Sequence, residues 1–518
     1  MQRKKIKKIL LVTPPFYTLL NDYINRPLTG VCSLAAVLYK EGFDVAILNT
    51  DNIKHSLPSL KHSSYKKNLI DENEEAIYIQ TIKDISLPFW ENIKNEIYSY
   101  SPDAVGISSL TPNYNSAINV AKIVKSIDPN IWVILGGVHP SFTPEETLKN
   151  KEVDFVVRGE GEYNLLNLIS TLNDASNLDK VNGISYRMGD TIVHNKPAEL
   201  IDNLDSLPFP MKELDLDIDV YSSESLGAMM TSRGCPFSCI YCASNKFWGK
   251  RVRFRSIENV IEEIKRIKEK FGTRFFIFDD DTFNINKNRV ISLCDAIIGE
   301  KLNIEWWCEI RPSPIDKEML TKMKDAGCVS ISLGIETGDE SILKNIKKGT
   351  TLTQIRKCID MIKEQNIELS TFFMIGFPWE GKREISETIK FMKSIKSSGT
   401  VNLSIVTPYP GTELYELLIN EGMIKEQIDW GLCFHHRRKN FFNKNFSDAE
   451  FLKIVVEAEK ECEKINIKNF MSRTIRKQLL NSKKMFQYIR KYARRPRQFL
   501  SKLGEYFIAL QKLVNLKK

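Results

Sequence analysis

A chain of 518 residues is long enough for two or three domains. Its 42% hydrophobic and 27% charged residues are ordinary for a soluble protein, and no apolar run approaches the ~20 residues that a membrane-spanning helix needs. The net charge of +9 is unevenly spread: residues 464–518 hold 16 Lys and Arg against one Glu, a net of +15, so the rest of the chain carries −6.

The start, MQRKKIKKILLVTPPF, imitates a signal peptide, but its apolar run is short and Pro14-Pro15 ends it without a small-residue cleavage site. It reads as a first buried strand. Ten cysteines at scattered spacing, with no secretion signal, predict a reducing compartment and a cytoplasmic protein. Cys32, Cys294, Cys308, Cys328, Cys358, Cys433 and Cys462 stand singly and read as small buried apolar residues.

Residues 1–172 alternate strand and helix signals. KKILLVTPP is a strand and loop, TGVCSLAAVLYKEG a helix ending on Gly42, and FDVAILNT a second strand. Residues 52–85 have the look of an insertion. AVGISSL, IWVILGG and VDFVV continue the strands, with helices between. Continuous apolar strands separated by helices predict an α/β domain on a parallel, doubly wound sheet. Ligands of such sheets bind at the carboxyl ends of the strands. That points to Thr13 and Pro14, to Ser108 and Thr111, to Gly136, Gly137 and His139, and to Gly159 and Glu160. None of these loops is a G-x-G-x-x-G fingerprint, so they specify only a nucleotide-like ligand.

Residues 173–225 read as a linker, with a hairpin at VNGISYRMGDTIVHN and a proline-punctuated crossing at LDSLPFPMKELDLD. Residues 226–411 alternate strand and helix six times: LGAMMTS, RFFIFDD, IEWWCEI, CVSISLGIE, ELSTFFMIG and VNLSIVTP are the strands. Six βα units predict a partial TIM-type barrel with its site at the carboxyl ends. Residues 412–463 are a helical extension interrupted by WGLCFHHRRKNFF, whose His435-His436 pair sits in a basic, aromatic loop expected over the barrel mouth. Residues 464–518 form a basic tail whose apolar residues 499, 500, 503, 507, 510 and 514 share one helical face. It suits docking on the protein or contact with an anionic inner-membrane surface. It has no recognisable RNA-binding module, so nucleic acid is disfavoured.

The chemistry lies in TSRGCPFSCIYCAS, where Cys235, Cys239 and Cys242 follow the spacing Cys-x3-Cys-x2-Cys. A cubane iron–sulfur cluster takes four thiolates, so three leave one iron open, and an open position marks a reactive metal site. A zinc finger would show two ligand pairs. Here every histidine is at least forty residues away.

CPFSCIYC resembles the cluster loop of radical S-adenosylmethionine (SAM) enzymes, and Tyr241 matches the aromatic position before the last cysteine. The resemblance implies a [4Fe–4S] cluster whose open iron is chelated by SAM, a 5′-deoxyadenosyl radical, and an external flavodoxin- or ferredoxin-type electron donor. It implies SAM contacts at Asp280 of the DDDTF stretch, Arg311 after the third strand, Glu336 after the fourth and Gly376 after the fifth. Ahead of such a loop, residues 1–172 resemble the cobalamin-binding domain of cobalamin-dependent radical SAM enzymes, on the strength of GGVHP…TPEE and VVRGEGE. The Asp-x-His-x-x-Gly motif that ligates cobalt elsewhere is missing from this sequence. The lower face of cobalt is then expected to meet water or an apolar side chain.

The implied activity is methylation of an unactivated carbon. The alternatives are a cyclisation or rearrangement with the same cofactors, resembling the anaerobic protoporphyrin ester cyclase, and a non-catalytic cobalamin or lipid-surface binding protein. The substrate itself is not legible; the basic tail makes a lipid or polyprenoid an expectation to test.

Overall fold

The structure, a computed structural model, describes residues 5–20, 22, 26–55, 69–424, 428–439 and 442–479. Five short, apolar strands come first: β1 (Lys8–Thr13), β2 (Asp44–Asn49), β3 (Ala104–Ser108), β4 (Trp132–Gly136) and β5 (Phe155–Val157). They pair in parallel in the order β2-β1-β3-β4-β5. Alternate residues feed two cores, as a period of two requires. Leu10, Val12, Val105, Ile107, Val133 and Leu135 pack on one face against the helices Pro88–Tyr100 and Tyr114–Ile127. Ile9, Leu11, Ala104, Ile134 and Val157 pack on the other, against Thr29–Lys40 and Gly161–Asn173. Burial on both faces explains why these strands read as unbroken apolar runs.

Two features of the expected organisation differ. The hairpin β6 (Ile184–Met188) and β7 (Thr191–His194) is the antiparallel edge of this same sheet, not part of a free linker. Its hairpin pattern was legible, but its pairing partner β5 is not a local property of the sequence. Within the stretch read as an insertion, Glu72–Lys83 is a helix opened by a capping box between Asp71 and Glu74, while residues 56–68 lie outside the described residues. The crossing to the second domain is tied down by charge. Lys54 Nζ lies 2.7 Å from both Glu96 Oε1 and Asp217 Oδ1, and His55 Nε2 lies 3.2 Å from Asp217 Oδ2. The lysine bridges the two carboxylates, and this cluster reads as a structural tie.

The second sheet contains β8 (Ala228–Met229), β11 (Phe275–Phe278), β12 (Glu305–Ile310), β13 (Cys328–Glu336), β14 (Glu368–Ile375) and β15 (Val401–Ile405), all parallel and in chain order. A two-stranded ribbon of β9 (Ser232–Arg233) and β10 (Arg253–Phe254) flanks it. The partial barrel keeps its alternation, with a register shift in β12 and another in β13. Phe276 and Phe278, Trp306, Cys308 and Ile310, Ile331, Leu333 and Ile335 face the helices. Their neighbours in sequence face the lumen. The single cysteines are all buried free thiols.

The C-terminal extension holds the two domains together. Trp430 and Phe434 enter the core of the first sheet, Trp430 Nε1 donates to Glu146 Oε1 at 2.8 Å, and Arg437 pairs with Glu75 at 2.7 Å. The helix Asp448–Leu479 packs Phe451, Val455, Ala458 and Cys462 into the barrel core. Beyond residue 463 it still docks there: Asn466 bonds both polar groups of the Val401 backbone, and Asn469 Nδ2 donates to Gly399 O. The rest of the expected basic tail, residues 480–518, lies outside the described residues.

Candidate active site

The thiol loop leaves β9 through Gly234, whose φ of +104° and close approach to Arg251 O (a Cβ would stand 2.7 Å away) suit glycine. Ile240 anchors it: its N–H donates to Ile346 O, its carbonyl accepts from Leu414 N, and its side chain is buried. Asp281 braces both ends, accepting from Gly234 N at 3.2 Å and Ser244 Oγ at 2.7 Å. Cys235, Cys239 and Cys242 line one wall of a cavity of about 380 Å³ in the barrel mouth. Burial pushes the Cys242 thiol up to about 11, so binding a metal centre there releases a proton.

The remaining walls hold polar groups that bind one another. Arg311 Nη1 donates to Cys239 Sγ at 3.2 Å, Nη2 donates to Lys348 O, and the guanidinium stacks 3.6 Å from the Phe237 ring centre. Glu336 takes φ +71° at a bulge in β13. Its Oε1 accepts from Lys348 Nζ at 2.6 Å, and that ammonium lies 3.3 Å from the Tyr241 hydroxyl. Burial, with Glu336 nearby, pushes the Tyr241 phenol up. Glu309, Tyr409 and His435 complete the lining, with the Tyr409 hydroxyl 3.0 Å from His435 Nδ1. Burial pushes His435 down to about 3, so this histidine is neutral.

Of the SAM contacts expected from the sequence, the structure brings Tyr241, Arg311 and Glu336 together with the cysteines. Asp280 is a correction. Its parity is that of Phe276 and Phe278, away from the lumen, and its carboxylate accepts from Thr231 N, Thr231 Oγ1, Ser232 N and Ser232 Oγ. Of the aspartates in the DDDTF stretch, the one that opens on the cavity is Asp281. Gly376 also stands outside the lining; its N–H donates at 2.6 Å to Glu380, which caps the turn from within. Lys348, Glu309 and Phe237 were missed. Lumen parity on β12, where Glu309 shares a face with Arg311, is the signal that could have found Glu309.

A second cavity, of about 270 Å³, lies between the first sheet and the barrel. Leu11, Gly106, Ile134 and Val157 form its floor, Val31, Leu34 and Leu165 its side, and Phe247 and Trp248 its barrel wall. Ser108, Gly136, Gly137, Gly159 and Glu160 line it as expected. It is a cradle made by missing side chains. A Cβ on Gly106 would stand 2.7 Å from Leu11 Cδ2, and one on Gly137, whose φ is +98°, would stand 2.5 Å from Ser109 O. Leu110, 51% exposed, rises at its edge.

Four expected contacts fall elsewhere. The Thr13 carbonyl accepts from Thr50, and the Pro14 carbonyl lies 3.5 Å from Asn113 Nδ2. Thr111 Oγ1 lies 3.1 Å from His139 Nδ1. His139 is fully buried between the rings of Tyr114 and Trp430, at 4.2 and 5.1 Å. Burial pushes it down to about 3, and its Nε2 has no hydrogen-bond partner among the described residues. It is a neutral core residue, packed by a tryptophan more than 290 positions away that local sequence could not reveal.

A cluster-binding barrel joined to a glycine-floored sheet is the architecture of a cobalamin-dependent radical SAM enzyme. Residues 229–392 match the radical SAM superfamily and residues 65–169 match the B12 binding domain. An uncharacterized methyltransferase of Pyrococcus horikoshii is 34% identical over 425 residues, 81% of this chain and 85% of that protein. An anaerobic magnesium-protoporphyrin IX monomethyl ester cyclase of Rubrivivax gelatinosus is 29% identical over 337 residues, 63% of this chain and 60% of the cyclase. The fold is shared with the radical SAM methyltransferase TsrM of Kitasatospora setae, solved with cobalamin and a [4Fe–4S] cluster bound, at a TM-score of 0.64 and 16% identity over 88% of this chain and 91% of that one. The chain belongs to the cobalamin-dependent radical SAM methyltransferase family, and its cofactors are a [4Fe–4S] cluster, SAM and cobalamin.

Proposed function

We propose that this enzyme transfers a methyl group to an unactivated carbon, with the two cavities as its two cofactor sites. The observation that carries the reading is their arrangement: the thiol cavity and the glycine-floored cavity open on either side of the segment from Arg233 to Trp248. The cluster with SAM supplies hydrogen-atom abstraction, and cobalamin supplies a transferable methyl group. Cys235, Cys239 and Cys242 would hold the cluster. Arg311, Asp281 and the Glu336–Lys348 pair would bind the charged end of SAM, a guanidinium fork suiting a carboxylate. Tyr241 and Phe237 would close that space against water. Gly106, Gly136, Gly137, Gly159 and Ser108 would admit cobalamin, with Leu110 as the apolar group beside it. Neutral His435, held by Tyr409, would offer a hydrogen bond without charge to the substrate.

The methyltransferase relative spans most of both chains, whereas the match to the cyclase spans 60% of that protein, which supports methyl transfer over cyclisation. The test is an anaerobic incubation of reconstituted protein with cobalamin, reductant and methyl-labelled SAM. Label on cobalamin together with 5′-deoxyadenosine supports the reading. Release of 5′-deoxyadenosine with no label ever reaching cobalamin contradicts it.

An external electron donor, as radical SAM enzymes generally need, would be of flavodoxin or ferredoxin type. Among the described residues no helix is long and apolar enough to cross a membrane. The basic residues beyond 479 support peripheral contact with anionic lipid and hence a lipid or polyprenoid substrate. Vesicle flotation of the full chain, lost on removing residues 480–518, would support this; equal flotation of both would contradict it.

A further inference from the structure

Glu160 was expected to touch cofactor, yet both of its oxygens are spoken for. The side chain is 2% exposed. Oε1 accepts from Arg233 Nη1 at 2.7 Å; Oε2 accepts from Arg253 Nη1 and from the Ile201 N–H, each at 2.7 Å. Glu162, at the same helix start, accepts from Arg233 Nη2 at 2.5 Å and from Ser33 Oγ at 3.0 Å. Two carboxylates and two guanidiniums thus form a closed, neutral, buried set.

Its placement gives it a task. Glu160 and Glu162 open the helix that walls the glycine-floored cavity. Arg233 lies two residues before Cys235 and pairs across the ribbon with Arg253. Its guanidinium lies 5.2 Å from the Trp248 ring, six residues past Cys242. Both ends of the thiol segment are therefore fastened to the wall of the other cavity. Charges this deeply buried tolerate little displacement, because losing a partner leaves an uncompensated ion.

We propose that Glu160 is a positioning residue: through Arg233 and Arg253 it fixes the cluster loop at one distance and angle from the cobalamin cavity. This rests on the two-cofactor reading above. The loop then moves with the first domain as one body, and the gap in which a substrate is methylated keeps a constant width.

The test compares wild-type holoprotein with Glu160→Gln and with the doubly neutralised Glu160→Gln/Arg253→Gln, which keeps the charge balance if the single variant fails to fold. Because Glu160 also stands in the wall of the cavity, cobalamin affinity, by absorbance titration, is expected to fall by well under tenfold. Amide exchange over residues 232–243 is expected to quicken at least about tenfold. The magnetic coupling that the reduced cluster imposes on the cobalt(II) EPR signal is expected to spread from one well-defined value into a distribution. A tenfold weaker cobalamin affinity with unchanged exchange and coupling would make Glu160 a cofactor contact and overturn the proposal. So would unchanged values of all three. Wild-type protein that takes up no cobalamin would instead sink the two-cofactor function, and the exchange measurement on cluster-loaded protein would still decide the clamp.

Discussion

At the barrel mouth, charged side chains hold one another; at the mouth of the first sheet, glycines hold nothing and leave room. Arg311 against Cys239 and Lys348 against Glu336 are buried partnerships, each costly to break from one side. The floor under Gly106 and Gly137 is defined by where a Cβ would collide. The first site is specified by chemistry and the second by shape. A substitution at the barrel should therefore act through lost charge or a lost ligand, and one at the sheet through added volume.

The largest break is Cys239→Ala. With two thiolates left, the cluster is expected to be lost, abolishing its visible absorbance and all SAM cleavage, while cobalamin binding persists. Retained absorbance would move the cluster elsewhere. Gly106→Val should do the converse. The added methyls press on Leu11 and enter the cavity, and cobalamin affinity should fall about tenfold or more, with cluster content measured by iron analysis unchanged. Loss of both cofactors together would contradict two separable sites.

Glu336→Gln strands the Lys348 ammonium in a buried site. Breaking such a pair from one side should cost about 3 kcal/mol of stability, read by denaturant unfolding, along with weaker SAM binding. Smaller still is a pH effect at Glu380, whose carboxylate caps Gly376 and Phe377. Burial pushes its carboxyl up to about 8, with Glu384 and Asp339 adding to the shift. A folded pKa above the unfolded one means stabilisation that is complete at low pH and is lost as the pH climbs toward that value. Melting temperature should decline between about pH 4.5 and about pH 8, and the decline should flatten in Glu380→Gln. Identical slopes would show that Glu380 does not carry it.

The same contrast decided what the sequence could reveal. The three cysteines are close in the chain, so their spacing alone announced a metal site. The strands were legible because burial on two faces writes long apolar runs. Asp280 was expected at the cavity, where Asp281 stands instead, although the alternation from Phe276 through Phe278 already turned Asp280 away from the lumen. Lys348 and Glu336 meet across the short helix Glu340–Asn345, and His139 is packed by Trp430 from the far end of the chain. Such pairings are tertiary facts with no local signature. Glu160 lies in a recognisable loop, but its partners Arg233 and Arg253 belong to the other domain.

The central claim is that one chain carries both cofactors in separate, facing sites. Iron, sulfide and cobalt analysis of anaerobically reconstituted wild-type protein tests it most directly. The account predicts about four irons and about one cobalt per chain, with cobalt kept and iron lost in Cys239→Ala. Zinc in place of iron, or cobalt that leaves together with the cluster, would contradict it.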